Sequence, residues 1–401
     1  MEIRPIVASL RRHRIPALLI VLEIALACAV LCNAVFMIGQ RVADIHWPNG
    51  IDEAGVSVVT VNGTDPKLAA SDIPRDLAAL RGIAGVQAAA AVTSMPLDQN
   101  PAVTCFTLKP NGKCTVNTSV YFLGVDGMKA LGLHLLEGRD FTPGEYADGD
   151  IHGFQPTAHV VLITRSDARR LWPDQDALGK TLYSGSLSWT VVGVVADVLA
   201  QDPAFSGPGG RYSSAFFPVR PNAMIGDYVV RSAPRDRERV LRRAKQVVAG
   251  LEPAAVVDGS TFVKMRADYF ANANSMVWML VLVCVVMLAV TVFGIVGLTS
   301  FWVGQRRRQI GIRRAVGATR AHILRYFQTE NLLLSSAGVI LGMALAFGIN
   351  LYLMRHDEVG RMPWYYLPTG AIALWLLGQL AVLGPALRAA AVPPVVATRS
   401  V

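Results

Sequence analysis

Apolar residues gather along this chain in four long runs, at 15–38, 273–303, 331–353 and 367–387. The first reads IPALLIVLEIALACAVLCNAVFMI. The second, from Ser275, reads SMVWMLVLVCVVMLAVTVFGIVGLTSFWV. Each run is long enough to cross roughly 30 Å of hydrocarbon at about 1.5 Å per helical residue. Between the first two runs, residues 39–272 switch to short globular patterns. VSVVTV (Val56–Val61) predicts a strand, and PRDLAALRG (Pro74–Gly82) a short helix closed by glycine. VQAAAAVTSMPL follows as a strand. VTCFTLKPNGKCTVNTSVYFLGV places β-branched and aromatic runs on both sides of a Pro-Asn-Gly turn and predicts a hairpin. DGMKALGL and RSDARRLW read as short helices, HVVLIT as a strand and WTVVGVVADV as a buried strand. Gln201–Ser214 reads as a loop by its Gly, Pro and Ser content. RDRERVLRRAKQVVAGL (Arg235–Leu251) predicts an amphipathic helix before the strand AAVVDG. The order β-α-β, insertion, α-β predicts an α+β unit with a second module inserted at about residues 100–230. RADYFANANSM (Arg266–Met276) holds no helix breaker, so the second apolar helix is expected to continue as a stalk into this domain.

Composition supports the membrane reading: 52% of the residues are hydrophobic, and mean hydropathy is +0.39. A net charge of +9 suggests nucleic acid until it is placed on the chain. Residues 1–14, 304–330 and 388–401 hold thirteen arginines against two glutamates, so they carry +11 and the rest of the chain carries −2. The basic charge is thus confined to three segments flanking apolar runs, and nucleic acid is excluded as a partner. The positive-inside rule puts all three segments in the cytoplasm, and alternation through four spans agrees. Residues 354–366 then face outside, where Arg355 and Arg361 are matched by Asp357 and Glu358. The expected fold class is a polytopic α-helical membrane protein with four transmembrane helices and a large extracytoplasmic α+β domain between helices 1 and 2. The 24-residue first run exceeds the h-region of about 7–15 residues in a signal peptide, so it is read as an uncleaved anchor.

Chemistry-bearing motifs are few. Gly179-Lys180-Thr181 resembles the end of a phosphate loop, but the required earlier glycine is Asp174, so the stretch is read as a turn between helix and strand. The seven histidines form no metal-ligand spacing, and no G-x-S-x-G elbow occurs. No catalytic, metal or cofactor residue is nominated. Cys28, Cys32 and Cys284 lie in spans and read as small apolar residues. Cys105 and Cys114 lie nine positions apart across Pro110-Asn111-Gly112, in an oxidising compartment by topology, and are expected to form a disulfide. A two-residue Asn111-Gly112 turn would set Lys109 opposite Cys114, so the bond requires a longer or bulged turn. Glu23 is an acid in the middle of a span, a functional position by default. A packing or assembly role is expected for it, with Thr299, Ser300, Gln379 or a neighbouring subunit as partner.

The segment QRRRQIGIRRAVGATRAHILRYFQTE (Gln305–Glu330) carries seven arginines. Arg306, Arg313 and Arg320 are seven apart and would share a face on a continuous helix. Gly317 is expected to interrupt that helix as a C′ glycine and Thr319 to cap the next. Ile312, Val316, Ile323 and Phe327 are expected to form an apolar stripe alongside. Snorkelling onto anionic lipid accounts for the charge. A tight turn with apolar residues beside it suits docking in a protein groove.

These residues resemble the signature of the FtsX-like permease family in MacB-type ABC transporters. The matched positions are Ile310, Gly311, Ile312, Arg313, Arg314, Ala315, Gly317, Ala318, Phe327, Glu330, Gly338 and Gly342. The closing stretch GPALRAAAVPPVVATRS is similar to the family's through Pro385, Ala386, Arg388, Ala389, Ala390, Pro394, Ala397 and Arg399. LLEGRDFTPGE, VVLITRSDARRLWPDQDALGKTL and WTVVGVVADV resemble the family's periplasmic core domain. The resemblance covers nearly the whole chain. It implies that residues 310–320, with Thr319 and Arg320, dock a separate cytoplasmic ABC ATPase that holds ATP and Mg. The chain itself would bind no cofactor. A second permease, identical or paralogous, is implied, as is mechanotransmission, in which ATP-driven closure moves the external domains without a channel through the membrane. The implied function is export or efflux from the bacterial inner membrane, with a periplasmic adaptor and an outer-membrane channel as further partners. The same family includes non-transporting regulators that drive a periplasmic hydrolase or a sensor kinase, and this is the alternative. Gln305 and Gln309 stand where the family usually has acids, and Glu23 and CNAVF depart from its usual first span.

The topology is testable by labelling from outside intact cells. Asp357→Cys should react with an impermeant maleimide and Thr319→Cys should not; the reverse pattern would overturn the four-span arrangement.

Overall fold

The computed structural model describes residues 14–98, 102–150, 155–203, 210–220, 227–356 and 360–391, in two units. The first thirteen residues, Asp357, Glu358 and the closing motif's Pro394, Ala397 and Arg399 lie outside the described residues. Among the described residues, four helices are long and apolar enough to cross a membrane. The first, α1 (Arg14–Ile45), runs seven residues past the end expected at residue 38.

The unit Trp47–Ala271 is built on one sheet. Strand β1 (Val56–Asn62), helix α2 (Ala69–Arg81) and strand β2 (Val86–Val92) open it. Strand β3 (Val103–Phe106), strand β4 (Val116–Leu123), helix α3 (Gly127–Leu131) and strand β5 (Leu135–Gly138) follow. A two-residue ribbon, β6 (Gly149–Asp150) with β7 (Gln155–Pro156), stands apart from the main sheet. Strand β8 (Val160–Thr164), helix α4 (Arg165–Leu171), strand β9 (Thr181–Ser184) and strand β10 (Leu187–Val195) come next. Strands β11 (Ser214–Pro218) and β12 (Asp227–Ser232), helix α5 (Arg237–Leu251), strand β13 (Val256–Thr261) and helix α6 (Phe262–Tyr269) complete the unit.

Strands β13, β1, β12 and β2 lie side by side in that order, each antiparallel to its neighbour. Two interleaved β-α-β units in this order make a split βαβ, or ferredoxin-like, arrangement. Helices α2 and α5 give it a core through Leu77, Leu80, Val240, Ala244 and Val248, all buried. The insertion leaves after β2 and returns at β12. It extends the same sheet rather than forming its own, to eleven strands. Strand β4 pairs with β2 at one registered position, Val92 opposite Leu123. The Gly124 N–H donates to the Ala91 carbonyl at 2.9 Å and the Thr93 N–H to the Phe122 carbonyl at 3.2 Å, closing the seam. Beyond it β11 runs parallel to β4, and β8, α4 and β10 form a parallel β-α-β crossover.

The sulfurs of Cys105 and Cys114 are joined, with Cα atoms 5.6 Å apart. The β3–β4 register sets Cys105 opposite Asn117 and Phe106 opposite Val116, so the connection is a long loop and not a two-residue turn. Thr107 explains the length. Its N–H donates to the Tyr183 carbonyl at 2.8 Å and its carbonyl accepts from the Tyr183 N–H at 3.0 Å, so it has left β4 for β9. The Gly179-Lys180-Thr181 stretch is a turn into β9: Asp174 and Gly179 take left-handed φ of 61° and 74°, and Asp176 Oδ1 accepts from the Leu178 N–H at 2.9 Å. The stalk expectation needs correction. Phe270 interrupts the helix between α6 and α7 (Ala271–Gln305), so the path is two helices rather than one.

Asp167 of α4 is fully buried. It accepts hydrogen bonds from Thr118 Oγ1 of β4 at 3.1 Å and from the Ser213 hydroxyl ahead of β11, and the two hydroxyls lie 3.0 Å apart. Burial pushes its carboxyl up to about 7, against the help of these two donors.

Two outcomes follow for this unit. Mass spectrometry of protein alkylated without reduction should leave Cys105 and Cys114 unlabelled; labelled thiols would remove a crosslink worth about 2–3 kcal/mol in the chain-entropy model. A carboxyl raised in the folded state binds its proton more tightly there than when unfolded. Stability should therefore fall between about pH 4 and 7 by at most about 1.4 kcal/mol per pH unit, and level off outside that window. Asp167→Asn should flatten that slope in thermal unfolding curves at pH 5 and 7.5; an unchanged slope would mean that another group titrates.

Candidate coupling site

The membrane unit comprises α1, α7, α8 (Arg307–Ala315), α9 (Arg320–His356) and α10 (Tyr366–Ala390). Its helices meet through small residues. A Cβ at Gly338 would lie 2.8 Å from the Ile24 Cβ, and one at Gly342 would lie 2.5 Å from the Cys28 Cβ. This small-xxx-small spacing on α9 brings its backbone onto α1. Cys28 is buried there as a small residue, and Cys32 is buried against Gly370 of α10. Asn33 Nδ2 crosses from α1 to the Ala346 carbonyl of α9 at 3.1 Å. Glu23 lies against Gly294 of α7, where any side chain would overlap its carboxylate. Of the partners considered for Glu23, Gln379 donates instead to the Gln328 carbonyl at 3.4 Å, and Thr299 is buried on α7.

Helix α7 ends at Gln305 and α8 begins at Arg307, with Arg306 alone between them. The Arg306 guanidinium donates to both oxygens of Glu330, at 3.2 and 3.3 Å, and lies 5.7 Å from the Trp302 ring centroid. The side chains are 12% and 2% exposed, so Glu330 is buried and Arg306 half-buried. At the far end of α8, Gly317 takes a φ of 104°, and the Ala318 N–H reaches back to the Arg313 carbonyl at 3.0 Å. That bond is the 6→1 closure of a Schellman turn, and it requires a residue at ease in the left-handed region. Thr319 then caps α9: its hydroxyl accepts from the His322 N–H at 3.3 Å.

The result is a tight helix-turn-helix. Its inner side holds Ile310, Gly311, Ile323, Phe327 and the Arg306–Glu330 pair. Its outer side exposes Ile312, Arg313, Ala315, Gly317, Thr319 and Arg320, with Ala318 half-buried; of Arg314 only the backbone is described. Val316 is 84% exposed and Ile312 50%, beside the exposed Arg307 and Arg325. The Arg313 guanidinium sits 5.2 Å from the centroid of the Tyr326 ring. The expected stripe of Ile312, Val316, Ile323 and Phe327 is therefore divided, two outside and two inside, because a helical period does not carry across the Gly317 turn. Gly317 interrupts the helix as expected, so Arg306, Arg313 and Arg320 do not share the face that a continuous helix would give them: Arg306 lies inside and the other two outside. Sequence reasoning missed the pairing of Arg306 with Glu330. The available signal was that Glu330 is the one acid in a segment of seven arginines.

Residues 281–394, which include this site, match the FtsX-like permease C-terminal family, and residues 27–259 match the MacB-like periplasmic core domain. This chain belongs to the MacB-type permeases. Among curated members, the macrolide export ATP-binding/permease protein MacB of Chromobacterium violaceum is 28% identical over 357 residues, covering 85% of this chain and 51% of that one. The protein of the same name in Burkholderia lata is 25% identical over 365 residues, covering 85% and 48%. The chain spans about half the length of the curated relatives it matches. Among solved structures, the periplasmic region of MacB from Actinobacillus actinomycetemcomitans aligns at a TM-score of 0.36 and 15% identity, covering 55% of this chain and 94% of that one. Within a MacB-type permease the helix-turn-helix lies between the second and third apolar helices, and its inner and outer faces are chemically distinct.

Proposed function

We propose that this chain is the permease subunit of an ABC transporter in the bacterial inner membrane, and that the outer face of the helix-turn-helix docks a cytoplasmic ABC ATPase. ATP and Mg belong to that ATPase. Its closure moves α8, and through the spans the external domain, in a mechanotransmission cycle that drives export. A second permease, identical or paralogous, completes the membrane pair. A periplasmic adaptor and an outer-membrane channel continue the route. Both termini are cytoplasmic and the Trp47–Ala271 unit is periplasmic, as the positive-inside rule predicts.

The observation that carries this reading is the pair of apolar side chains, Ile312 and Val316, exposed among arginines on a rigid turn. Lipid headgroups satisfy arginines without a fixed backbone shape. A protein groove rewards both the shape and the apolar contact.

Gly317→Trp and Ala318→Arg should each abolish co-purification of the ATPase while leaving the permease inserted in the membrane. ATPase retained by both variants would move the docking site elsewhere.

A further inference from the structure

Arg306 is a joint. Helix α7 stops one residue before it and α8 starts one residue after it, so the regular ladder is interrupted there, with one bond kept on each side. The Arg306 N–H donates to the Trp302 carbonyl at 3.0 Å, and the Ile310 N–H donates to the Arg306 carbonyl at 2.9 Å. An interruption of one residue, flanked by a bond on each side, needs a specific cause. The side chain supplies it. Its guanidinium is held on one side by Glu330 and on the other by the Trp302 ring. Glu330 lies on α9, so the pair ties the base of α8 to the helix that follows the turn.

We propose that the Arg306–Glu330 pair is the fixed pivot of the coupling segment. It holds α8 at one angle to α7 and α9, so that a push on the outer face moves both spans as one body. Glu330 is accordingly a positioning residue for coupling, and takes no part in docking. The proposal rests on the docking reading above. The separation is physical: Glu330 is buried and Arg306 half-buried against it, whereas Ile312, Arg313, Val316 and Arg320 face outward. Burial of Glu330 also makes the pivot stiff, because a charge-assisted hydrogen bond shielded from water is costly to break.

The test uses the full permease in lipid nanodiscs, with its ATPase bound. Spin labels are introduced as non-canonical residues at the exposed Val290 of α7 and Gln309 of α8, diluted with unlabelled protein so that only distances within one chain are read. The wild type should give one narrow distance distribution that shifts when the ATPase is trapped with ATP and vanadate. Glu330→Gln should retain the ATPase, broaden the resting distribution and lose the shift; Arg306→Gln should do the same. The exchange Arg306→Glu with Glu330→Arg should narrow the distribution again, which a pair serving only general stability gives no reason to expect. If Glu330→Gln loses the ATPase while still inserted, or keeps both the narrow distribution and the shift, the pivot is wrong. If the exchanged variant fails to insert, the two single variants decide the matter by the same criteria. If wild-type permease binds no ATPase, the docking reading has failed, and the width of the resting distribution in the variants still decides the pivot.

Discussion

Hydrocarbon offers no hydrogen bonds, so every polar group carried into it must bring its own partner. The membrane unit meets that constraint in part: Asn33 Nδ2 and Asn350 Oδ1 are paired, whereas Asn33 Oδ1, Asn350 Nδ2 and Trp375 Nε1 are buried with no hydrogen-bond partner among the described residues. Asn33 spends its amide on two carbonyls, Ala29 of its own helix and Ala346 of α9. Asn350 accepts from the Met362 N–H at 3.1 Å, at the start of the link to α10. Arg306, at the edge of the apolar run, takes Glu330 as its counter-ion. Without water to drive helices together, contact must come from close packing, and Gly338 and Gly342 let α9 approach α1 to within the width of a side chain. The helix-turn-helix inherits this rigidity. Its inner face is an extension of the helix packing, and its outer face is exposed.

Outside the membrane unit the problem is different. The external unit has water at its surface and solves its packing by sheet formation. The ferredoxin-like half pairs a pattern of buried β-branched residues in β1 with two amphipathic helices. The inserted half then borrows the free edge of β2 to continue the sheet. Asp167 shows what the inserted half tolerates: a carboxyl with two hydroxyl donors, buried where α4 meets β4 and the approach to β11. Hydroxyls satisfy its lone pairs but do not neutralise its charge.

Much of this was legible in the sequence, for identifiable reasons. Long apolar runs report spans because hydrocarbon thickness sets a minimum length. Their ends were less legible, since α1 stays helical to Ile45 after its apolar run is over. Gly317 and Thr319 announced the turn because cap chemistry is local. The division of the apolar stripe was not legible, since it depends on the angle between two helices. The Arg306–Glu330 pair joins positions 24 apart and exists only once the chain has folded back through the Gly317 turn. Strands β11 and β12 went unread for a similar reason. Ser-Ala-Phe-Phe-Pro and Asp-Tyr-Val-Val-Arg-Ser are too short to carry a period, and their strand character comes from the neighbours that pair with them. Phe270 gave no sign of a helix break because it is neither glycine nor proline.

The seam between β2 and β4 has a mechanical consequence. Strand β12 meets β2 through six registered pairs, whereas β4 meets it through one. Under a bending load, a sheet joined this unevenly does not flex uniformly. Off the sheet, however, α3 of the inserted half is tied to the ferredoxin-like half: Arg231 donates to the Lys129 carbonyl at 3.1 Å, the Asp52 N–H to the Leu131 carbonyl at 3.3 Å, and Arg81 to Asp126 at 3.0 Å. The helix acts as a gusset over the narrow join, so the two halves are braced by more than the one registered strand pair.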